Sequence, residues 1–148
     1  MFGRNARSAV RMYLVDTSVW IHALRRGGNQ EIRSRLRVLV LAGETAVTEW
    51  ILMELMTGLS RSENAKDLLE RLSPVTLISF RQEWWAKAWD LAADLRKHGV
   101  TLSAADCLIA TVALESSVAV IHCDQDFEAA RRHSKLQTQD WSTIAPKP

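Results

Sequence analysis

Short β-like runs alternate with longer helical stretches along this chain, and that alternation constrains the fold more than any other feature. The runs are rich in Val, Ile, Leu and Thr, and apolar residues recur at helical spacing in the stretches between them. This pattern predicts an α/β protein in which helices cover both faces of a parallel sheet, because parallel strands need a crossover connection. The predicted strands are residues 12–15, 44–47, 74–78, 118–122 and 135–138.

The stretches between the runs predict the helices. In residues 30–41, apolar residues interleave with arginines, which predicts an amphipathic helix with a cationic side. Ligands of such folds collect where strands end, at the carboxyl edge of the sheet. Residues that directly follow a predicted strand are therefore the first candidates for a functional site. The other predicted helices are residues 49–59, 62–72 with Ser62 as the cap, 82–97 and 104–115, one that begins near Ser18, and one from Asp124 through Arg132.

The length and composition are those of one soluble domain. The chain has 148 residues, of which 47% are hydrophobic and 24% charged. Charged residues interrupt every apolar run before it reaches the roughly 20 residues that span a bilayer. We expect residues 12–148 to form a single domain and residues 1–11 to be a flexible basic tail. We also expect a cytoplasmic protein, since Cys107 and Cys123 show no CxxC spacing and no disulfide framework.

Histidine and cysteine chemistry is disfavoured by the sequence. His122 and Cys123 are adjacent at the end of the fourth predicted strand, where successive side chains point to opposite faces, so they cannot form a nucleophile–base pair. No pair of histidines suggests a ribonuclease that uses the 2′-hydroxyl of RNA as its nucleophile. Zinc-ligand spacing is also missing for His22, His98 and His133.

Aspartates follow two of the predicted strands. Asp16 comes directly after the first strand, and Asp124 and Asp126 come after the fourth. Each has an ordinary structural explanation, since Asp16 and Asp124 suit the N-cap of the following helix and Asp126 suits a solvated first turn. Helix capping is the role we assign to Ser18.

Two further acids lie within predicted helices. The helical neighbours of Glu54 include Trp50 and Ile51, which do not form a solvated face, and a buried Glu needs a partner. Asp106 fits a capping box with Ser103. It also lies in the first turn of an almost wholly apolar helix, so we favour a functional site over a cap for Asp106.

The predicted fold brings these acids together. It places Asp16, Asp106 and Asp124 at one edge of the sheet, with Glu54 on a helix that leads from that edge. Carboxylates that are crowded and buried resist ionisation, and a divalent cation removes the conflict by supplying positive charge. Mg²⁺ or Mn²⁺ prefers such oxygen ligands, and a metal-activated water can attack a phosphodiester. Thr17 could orient that water or a phosphate oxygen.

Four segments, in this order, resemble the motifs of the PIN-domain nucleases, and especially the VapC-type toxins of bacterial toxin–antitoxin pairs. The similarity covers nearly all of the chain after Met12, and the ordered set is more specific than any single segment. The segments are VDTSVW (residues 15–20), MELMTG (53–58), SAADCLIA (103–110) and IHCDQDF (121–127).

The resemblance implies a three-layer α/β/α fold with a short, mostly parallel sheet, and RNA cleavage that depends on Mg²⁺ or Mn²⁺. It implies a homodimer and a VapB-type antitoxin whose C-terminal segment blocks the site. No acid of the family pattern is missing, so an active endoribonuclease is expected. The implied catalytic and metal-binding residues are Asp16, Glu54, Asp106 and Asp124, with Asp126 as an additional or outer metal ligand.

The sequence gives weaker signals for RNA-binding and protein-binding surfaces than for the acidic site. Arg25 and Arg26 follow the first predicted helix, and we expect them to contact RNA phosphates outside the acidic site. An ordinary solvated face explains them equally well. Trp84, Trp85 and Trp89 lie in one predicted helix. At least one should pack in the core, while the others suit a partner surface because aromatic residues are enriched at interfaces.

Two alternatives to an active nuclease are open from the sequence. A catalytically inactive PIN-like module that binds RNA or protein would keep the fold without the chemistry. A phosphoacceptor signalling domain also collects acids at strand ends. However, this chain lacks an adjacent acid pair before its first helix, and it has no acid after the third strand, where Ile78-Ser79-Phe80 stands.

Overall fold

A parallel five-stranded sheet forms the centre of the protein in the computed structural model, which describes residues 11–144. The strand order is β3-β2-β1-β4-β5, which confirms the predicted α/β/α architecture with a short parallel sheet. In chain order the strands are β1 (Tyr13–Val15), β2 (Thr45–Val47), β3 (Thr76–Leu77), β4 (Ala119–His122) and β5 (Thr138–Asp140). The flanking helices are α1 (Thr17–Leu24), α2 (Gln30–Leu41), α3 (Glu49–Thr57), α4 (Ala65–Arg71), α5 (Trp84–Lys97), α6 (Ala104–Ser116) and α7 (Gln125–Arg132).

The strand order reverses between β1 and β4, at the centre of the sheet. From β1 the chain moves outward through β2 and β3, and it then returns to place β4 on the other side of β1. Val15, the last residue of β1, lies opposite Ile121, and β4 ends one residue later at His122. A crevice opens at the carboxyl ends of parallel strands where their order reverses. Asp16 and Asp124 lie just beyond these two strands, at the β1–β4 crevice.

Apolar side chains on both faces of the central strands hold the layers together. Leu14 and Val15 of β1 and Ile121 of β4 are completely buried, as expected for strands that helices cover on both faces. The helix α6 is buried along residues 107–113, which explains why its sequence shows no polar face. Within residues 11–144, no helix has both the length and the apolar character needed to cross a bilayer.

Most element ends lie within two residues of their predicted positions, but two predictions are wrong. The fifth strand does not begin at residue 135, because the Ser134 hydroxyl accepts the Leu136 N–H and turns the chain after α7. The fourth helix does not begin at Ser62, because Asn64 caps it three residues before Asp67, and Asn is a strong N-cap residue. Of the predicted tail at residues 1–11, only Arg11 lies in the described part, so that boundary stays a prediction.

Leu14→Ala should destabilise the protein by about 2–5 kcal/mol, because it leaves a cavity in the central strand between the helical layers. Leu14 is fully buried, whereas Leu41, at the end of α2, is 76% exposed. Leu41→Ala is therefore the matched control and should change the free energy of unfolding by less than about 0.5 kcal/mol. Urea unfolding followed by circular dichroism measures both variants. Equal losses would contradict a core centred on β1.

Candidate metal centre

Asp16 lies just after β1 and is almost completely buried, with 4% of its surface exposed. It caps α1, since its Oδ2 accepts the Ser18 N–H at 3.1 Å and the Ser18 hydroxyl at 2.6 Å. Burial raises the pKa of Asp16 in spite of these donors, and the charge of Asp124 raises it further. A carboxylate has about four acceptor positions on its two oxygens. Capping therefore leaves Asp16 with capacity for another ligand.

Asp124 occupies the equivalent position after β4. It caps α7, with its Oδ1 accepting the Asp126 N–H at 3.0 Å. From the sequence, a cap and a functional site are competing explanations for Asp16 and Asp124. The structure shows that both residues are caps and that both lie at the crevice, so the two explanations are compatible.

Glu54 lies on α3 and is half-buried. Its Oε1 accepts a hydrogen bond of 2.8 Å from the Thr17 hydroxyl. Burial raises the pKa of Glu54, and the charges of Asp16 and Asp124 add to this against the effect of the Thr17 bond. The carboxyl group of Glu54 therefore faces the same crevice, and Thr17 holds it there.

Asp106 lies in the first turn of α6. The Ser103 hydroxyl caps this helix and accepts the Asp106 N–H at 3.1 Å, as the capping-box spacing predicts. The pKa of Asp106 is raised to about 7, first by burial and then by the charges of Asp16, Asp124 and Glu54. Ser103 thus caps the helix while burial and the charges of the other three acids raise the pKa of the Asp106 carboxyl group.

The acids meet in one cluster although they come from distant parts of the chain. One carboxylate oxygen from each of Asp106, Asp124 and Asp126 lies within 4.8 Å of the others. Asp16 and Glu54 border this group, as the mutual effects on their pKa values indicate. Asp126 is the exposed member. The structure therefore brings three of the five predicted acids together, and Asp16 and Glu54 lie near enough for their charges to raise the pKa of Asp106.

The chemistry of this donor set fits a hard divalent cation. The donors are carboxylate oxygens, which such ions prefer to nitrogen and sulfur. Burial, followed by the charges of neighbouring acids, raises the pKa values of Asp16, Glu54 and Asp106 and so disfavours their ionised forms. A cation would supply that charge and favour the ionised form of each carboxylate.

The assignment of Ser18 to helix capping is wrong, because Asp16 occupies the N-cap of α1. The Ser18 hydroxyl instead donates to Asp16 and accepts the Cys123 N–H at 2.9 Å. It therefore joins the ends of β1 and β4 inside the crevice. The sequence contains no local sign of this contact, since 105 residues separate Ser18 from Cys123.

His122 is a further residue at the site that sequence reasoning missed. Its ring is completely buried and contacts Asp124 on one side and Glu128 on the other. Burial opposes ionisation of Glu128, but hydrogen bonds from Thr138, His122 and Arg131 outweigh it and lower the pKa of that carboxyl group. A histidine in an otherwise apolar strand, two residues before an acid, is the available sequence signal.

Thiol chemistry does not contribute to the site. Burial, followed by the charges of Asp140 and Asp16, raises the pKa of the Cys123 thiol to about 11. Cys107 is buried, and its pKa is also raised, first by burial. Both sulfur atoms therefore stay protonated at neutral pH and are poor nucleophiles.

Arg25 and Arg26 lie outside the acidic cluster. They follow the last residue of α1, an eight-residue helix that begins at the crevice and is about 12 Å long. The Arg25 guanidinium group donates to the Gly58 carbonyl at 3.1 Å and so ties α1 to the end of α3. Arg26 is exposed. The structure does not bring these arginines to the acids, so any RNA contact they make is at a distance from them.

The tryptophans of α5 divide between packing and exposure. Trp84 and Trp85 form edge-to-face contacts with Phe80, and Trp85 also contacts Trp50, at ring-centroid separations of 5.0–5.9 Å. Trp89, one turn beyond Trp85, is 66% exposed and borders an apolar groove between α5 and α6. Two tryptophans therefore pack, and Trp89 is the candidate for a partner surface.

Comparison with known proteins identifies the family. The family model described as "PIN domain" matches residues 13–133. The chain belongs to the PIN domain family. This PIN domain is 31% identical, over 130 residues, to VapC ribonuclease Mb1587 of Mycobacterium bovis and to Ribonuclease VapC11 of Mycobacterium tuberculosis. Each match covers 85% of this chain and 96% of the relative.

The fold of this PIN domain is also similar to that of a solved toxin–antitoxin complex. VapBC2 from Rickettsia felis, crystallised with a DNA fragment from its promoter, matches with a TM-score of 0.73 at 21% identity. The match covers 88% of this chain and 98% of that chain, which shows a shared fold. The predicted resemblance is thus confirmed. The matched residues include all five acids, and the family favours a nuclease over a phosphoacceptor domain.

Asp106 should make the stability of the metal-free PIN domain depend on pH. Its folded pKa of about 7 lies above the ordinary value of 3.8, so the unfolded chain releases this proton first as the pH rises. The stabilising contribution is therefore complete below about pH 4 and is lost as the pH rises to above about pH 7. In EDTA, the free energy of unfolding should fall more between about pH 5 and pH 8 for the wild type than for Asp106→Asn.

Urea titrations of both proteins at the two pH values measure this difference. Groups outside the acidic cluster titrate alike in both proteins, so the comparison reports Asp106 together with the acids that interact with it. Parallel pH profiles would contradict the raised pKa.

Proposed function

We propose that this PIN domain is a divalent-metal-dependent endoribonuclease and the toxin of a VapBC-type toxin–antitoxin pair. One observation carries the proposal: carboxylates from four separate segments converge where β1 and β4 end, and the pKa of Asp106 rises to about 7 through burial and the charges of the others. Acids in this arrangement favour a bound cation. The similarity to proteins named VapC ribonuclease supports RNA as the substrate class.

The acids provide the ligands in this proposal. Asp16, Glu54, Asp106 and Asp124 hold a Mg²⁺ or Mn²⁺ ion, and Asp126, which is exposed, is an additional or outer ligand. Both ions prefer hard oxygen donors and keep several waters. When bound, the ion supplies a nucleophilic water at neutral pH and positive charge beside the scissile phosphate. We infer that water would displace the 3′-oxygen from phosphorus, which would leave a 5′-phosphate on one product and a 3′-hydroxyl on the other.

Neighbouring hydroxyl groups orient the ligands. Thr17 fixes one oxygen of Glu54, and Ser18 fixes one oxygen of Asp16, both through short hydrogen bonds. A carboxylate held in this way loses little freedom when it binds a cation, so the arrangement is preorganised. The positive ends of α1 and α7 also lie at the crevice, where they favour a phosphate.

RNA binding extends beyond the acids in this proposal. Arg26 contacts backbone phosphates at the far end of α1. Arg25 contacts them too when its guanidinium group is not bonded to the Gly58 carbonyl. The exposure of both arginines supports this role. Such contacts hold the strand in place without reading its sequence.

The proposal includes protein partners. A VapB-type antitoxin covers the acidic crevice with its C-terminal segment, and two copies of the chain form a homodimer. The family resemblance supports both partners, and Trp89 with the groove beside it offers an exposed apolar surface for one of these contacts. Two free cysteines suit a protein of the cytoplasm.

Asp16→Asn and Asp106→Asn should each reduce RNA cleavage by about 100-fold or more, the scale on which one electrostatic catalytic group acts. Cleavage is measured by mapping new RNA 5′ ends after incubation with Mg²⁺ or Mn²⁺. Asp90→Asn is the matched control. Asp90 is exposed and lines a cavity with Val118, at the amino end of β4 and so at the opposite edge of the sheet.

The control should cleave like the wild type. Full activity in Asp16→Asn would leave the PIN domain as a binding module without catalytic function. Activity that persists in EDTA would remove the metal from the proposal.

Arg26→Gln should weaken RNA binding and flatten its dependence on salt, because each lost phosphate contact lowers the slope of log K against log salt by about 0.7 for a single strand. Binding is measured in the Asp16→Asn background, so that the RNA stays intact. Lys135→Gln removes one charge from the opposite edge of the sheet and serves as the control. Identical slopes for the two variants would exclude Arg26 from the RNA-binding surface.

A further inference from the structure

His122 is the last residue of β4, two positions before Asp124, and its ring is completely buried. Nδ1 accepts the backbone N–H of Asp124 at 3.0 Å, and Nε2 lies 2.8 Å from Oε2 of Glu128. A backbone N–H can only donate, so Nδ1 carries no proton. The ring proton is therefore on Nε2, which donates to Glu128.

The Nε2 side of the His122 ring and the His122 backbone are fixed by several hydrogen bonds. Glu128 accepts hydrogen bonds from the Thr138 hydroxyl and, at 3.0 Å, from Arg131 Nε. The His122 carbonyl accepts the Trp141 N–H at 2.7 Å, which fixes the backbone of the same residue. Elements α7 and β5 thus prevent the imidazole from rotating, and Nδ1 keeps one direction.

The near side of the ring meets the backbone that carries the acids. Nδ1 accepts a hydrogen bond from the Asp124 N–H, and the Ser18 hydroxyl accepts one from the preceding N–H, that of Cys123. Two successive peptide groups are therefore fixed by side chains that lie outside the turn itself. The direction of the Asp124 carboxylate depends on these peptide groups, because its side chain has only two rotatable bonds beyond them.

We propose that His122 is a positioning residue for Asp124, which acts through the hydrogen bond from the Asp124 N–H to Nδ1. The inference rests on the proposed metal-dependent function, since it concerns how Asp124 meets the cation. Groups that orient a metal ligand typically contribute 10–100-fold to metal affinity, about the effect of losing one well-placed hydrogen bond. A buried histidine that only packs against its neighbours would have no such effect on the metal.

Two substitutions separate the two ends of the ring. His122→Asn keeps an acceptor, the amide oxygen, at the position of Nδ1, but it does not reach Glu128. His122→Gln reaches Glu128 with its amide group, but it has no acceptor at the position of Nδ1. Each variant loses one hydrogen bond and some packing, so their thermal stabilities should fall by similar amounts.

The test is the affinity for Mn²⁺, measured by calorimetry on the full chain, with thermal unfolding measured alongside. His122→Gln should bind Mn²⁺ about 10–100-fold more weakly than the wild type. His122→Asn should keep an affinity close to the wild-type value in spite of its lower stability. Equal affinities for the two variants, or loss in His122→Asn, would overturn the positioning role.

Two further measurements keep the outcomes distinct. If His122→Gln does not fold, the Mn²⁺ affinity of His122→Asn is compared with that of the wild type. ¹⁵N NMR of the wild-type imidazoles then shows which ring nitrogen of His122 carries the proton. A protonated Nδ1 at His122 overturns the inference. If the wild type does not bind Mn²⁺, the proposed function and the inference are both overturned. If the wild type binds Mn²⁺ and Asp16→Asn does not, the proposed function is supported. The two His122 variants then decide the role of His122 alone.

Discussion

Burial of several carboxylates close together, beyond the ends of β1 and β4, is the constraint on which the rest of this PIN domain depends. The paired register of the two central strands fixes where Asp16 and Asp124 emerge, and α3 and α6 add Glu54 and Asp106. A fully buried core around these strands keeps the acids from moving apart. Burial, followed by the charges of neighbouring acids, raises the pKa values of Asp16, Glu54 and Asp106, and a bound cation, on which the proposed function rests, would favour their ionised forms.

The fold and the acids could be predicted because both follow from short-range patterns. Parallel strands covered by helices produce apolar runs, and the residue after each run falls at one edge of the sheet. Asp16 and Asp124 are found by this rule alone, and Glu54 by its apolar helical neighbours. The rule fails for the fifth strand, where Leu136 is apolar because it is buried in the turn after α7 and not because it lies in the sheet.

Side-chain partners could not be predicted, because they depend on which elements become neighbours. Thr17 bonds to Glu54 across 37 residues, and Ser18 bonds to Cys123 across 105. Ser18 illustrates the point best. Its position two residues after Asp16 suggests a cap, yet its hydroxyl joins two strands that become adjacent only when the strand order reverses. The contact of His122 with Glu128 has the same origin, since the ring points to the face that α7 covers.

Helix capping at this site is compatible with the metal ligation that we propose. Asp16 and Asp124 each use one oxygen to cap a helix, which fixes the side chain without exhausting its acceptors. The positive ends of α1, α6 and α7 then lie at the cluster, and each stabilises a nearby carboxylate by about 0.3–1 kcal/mol. Burial and the neighbouring acids act in the opposite direction and raise the pKa of Asp106 to about 7. The caps therefore hold Asp16 and Asp124 in place, and a bound cation would favour the ionised forms of Asp16, Glu54 and Asp106.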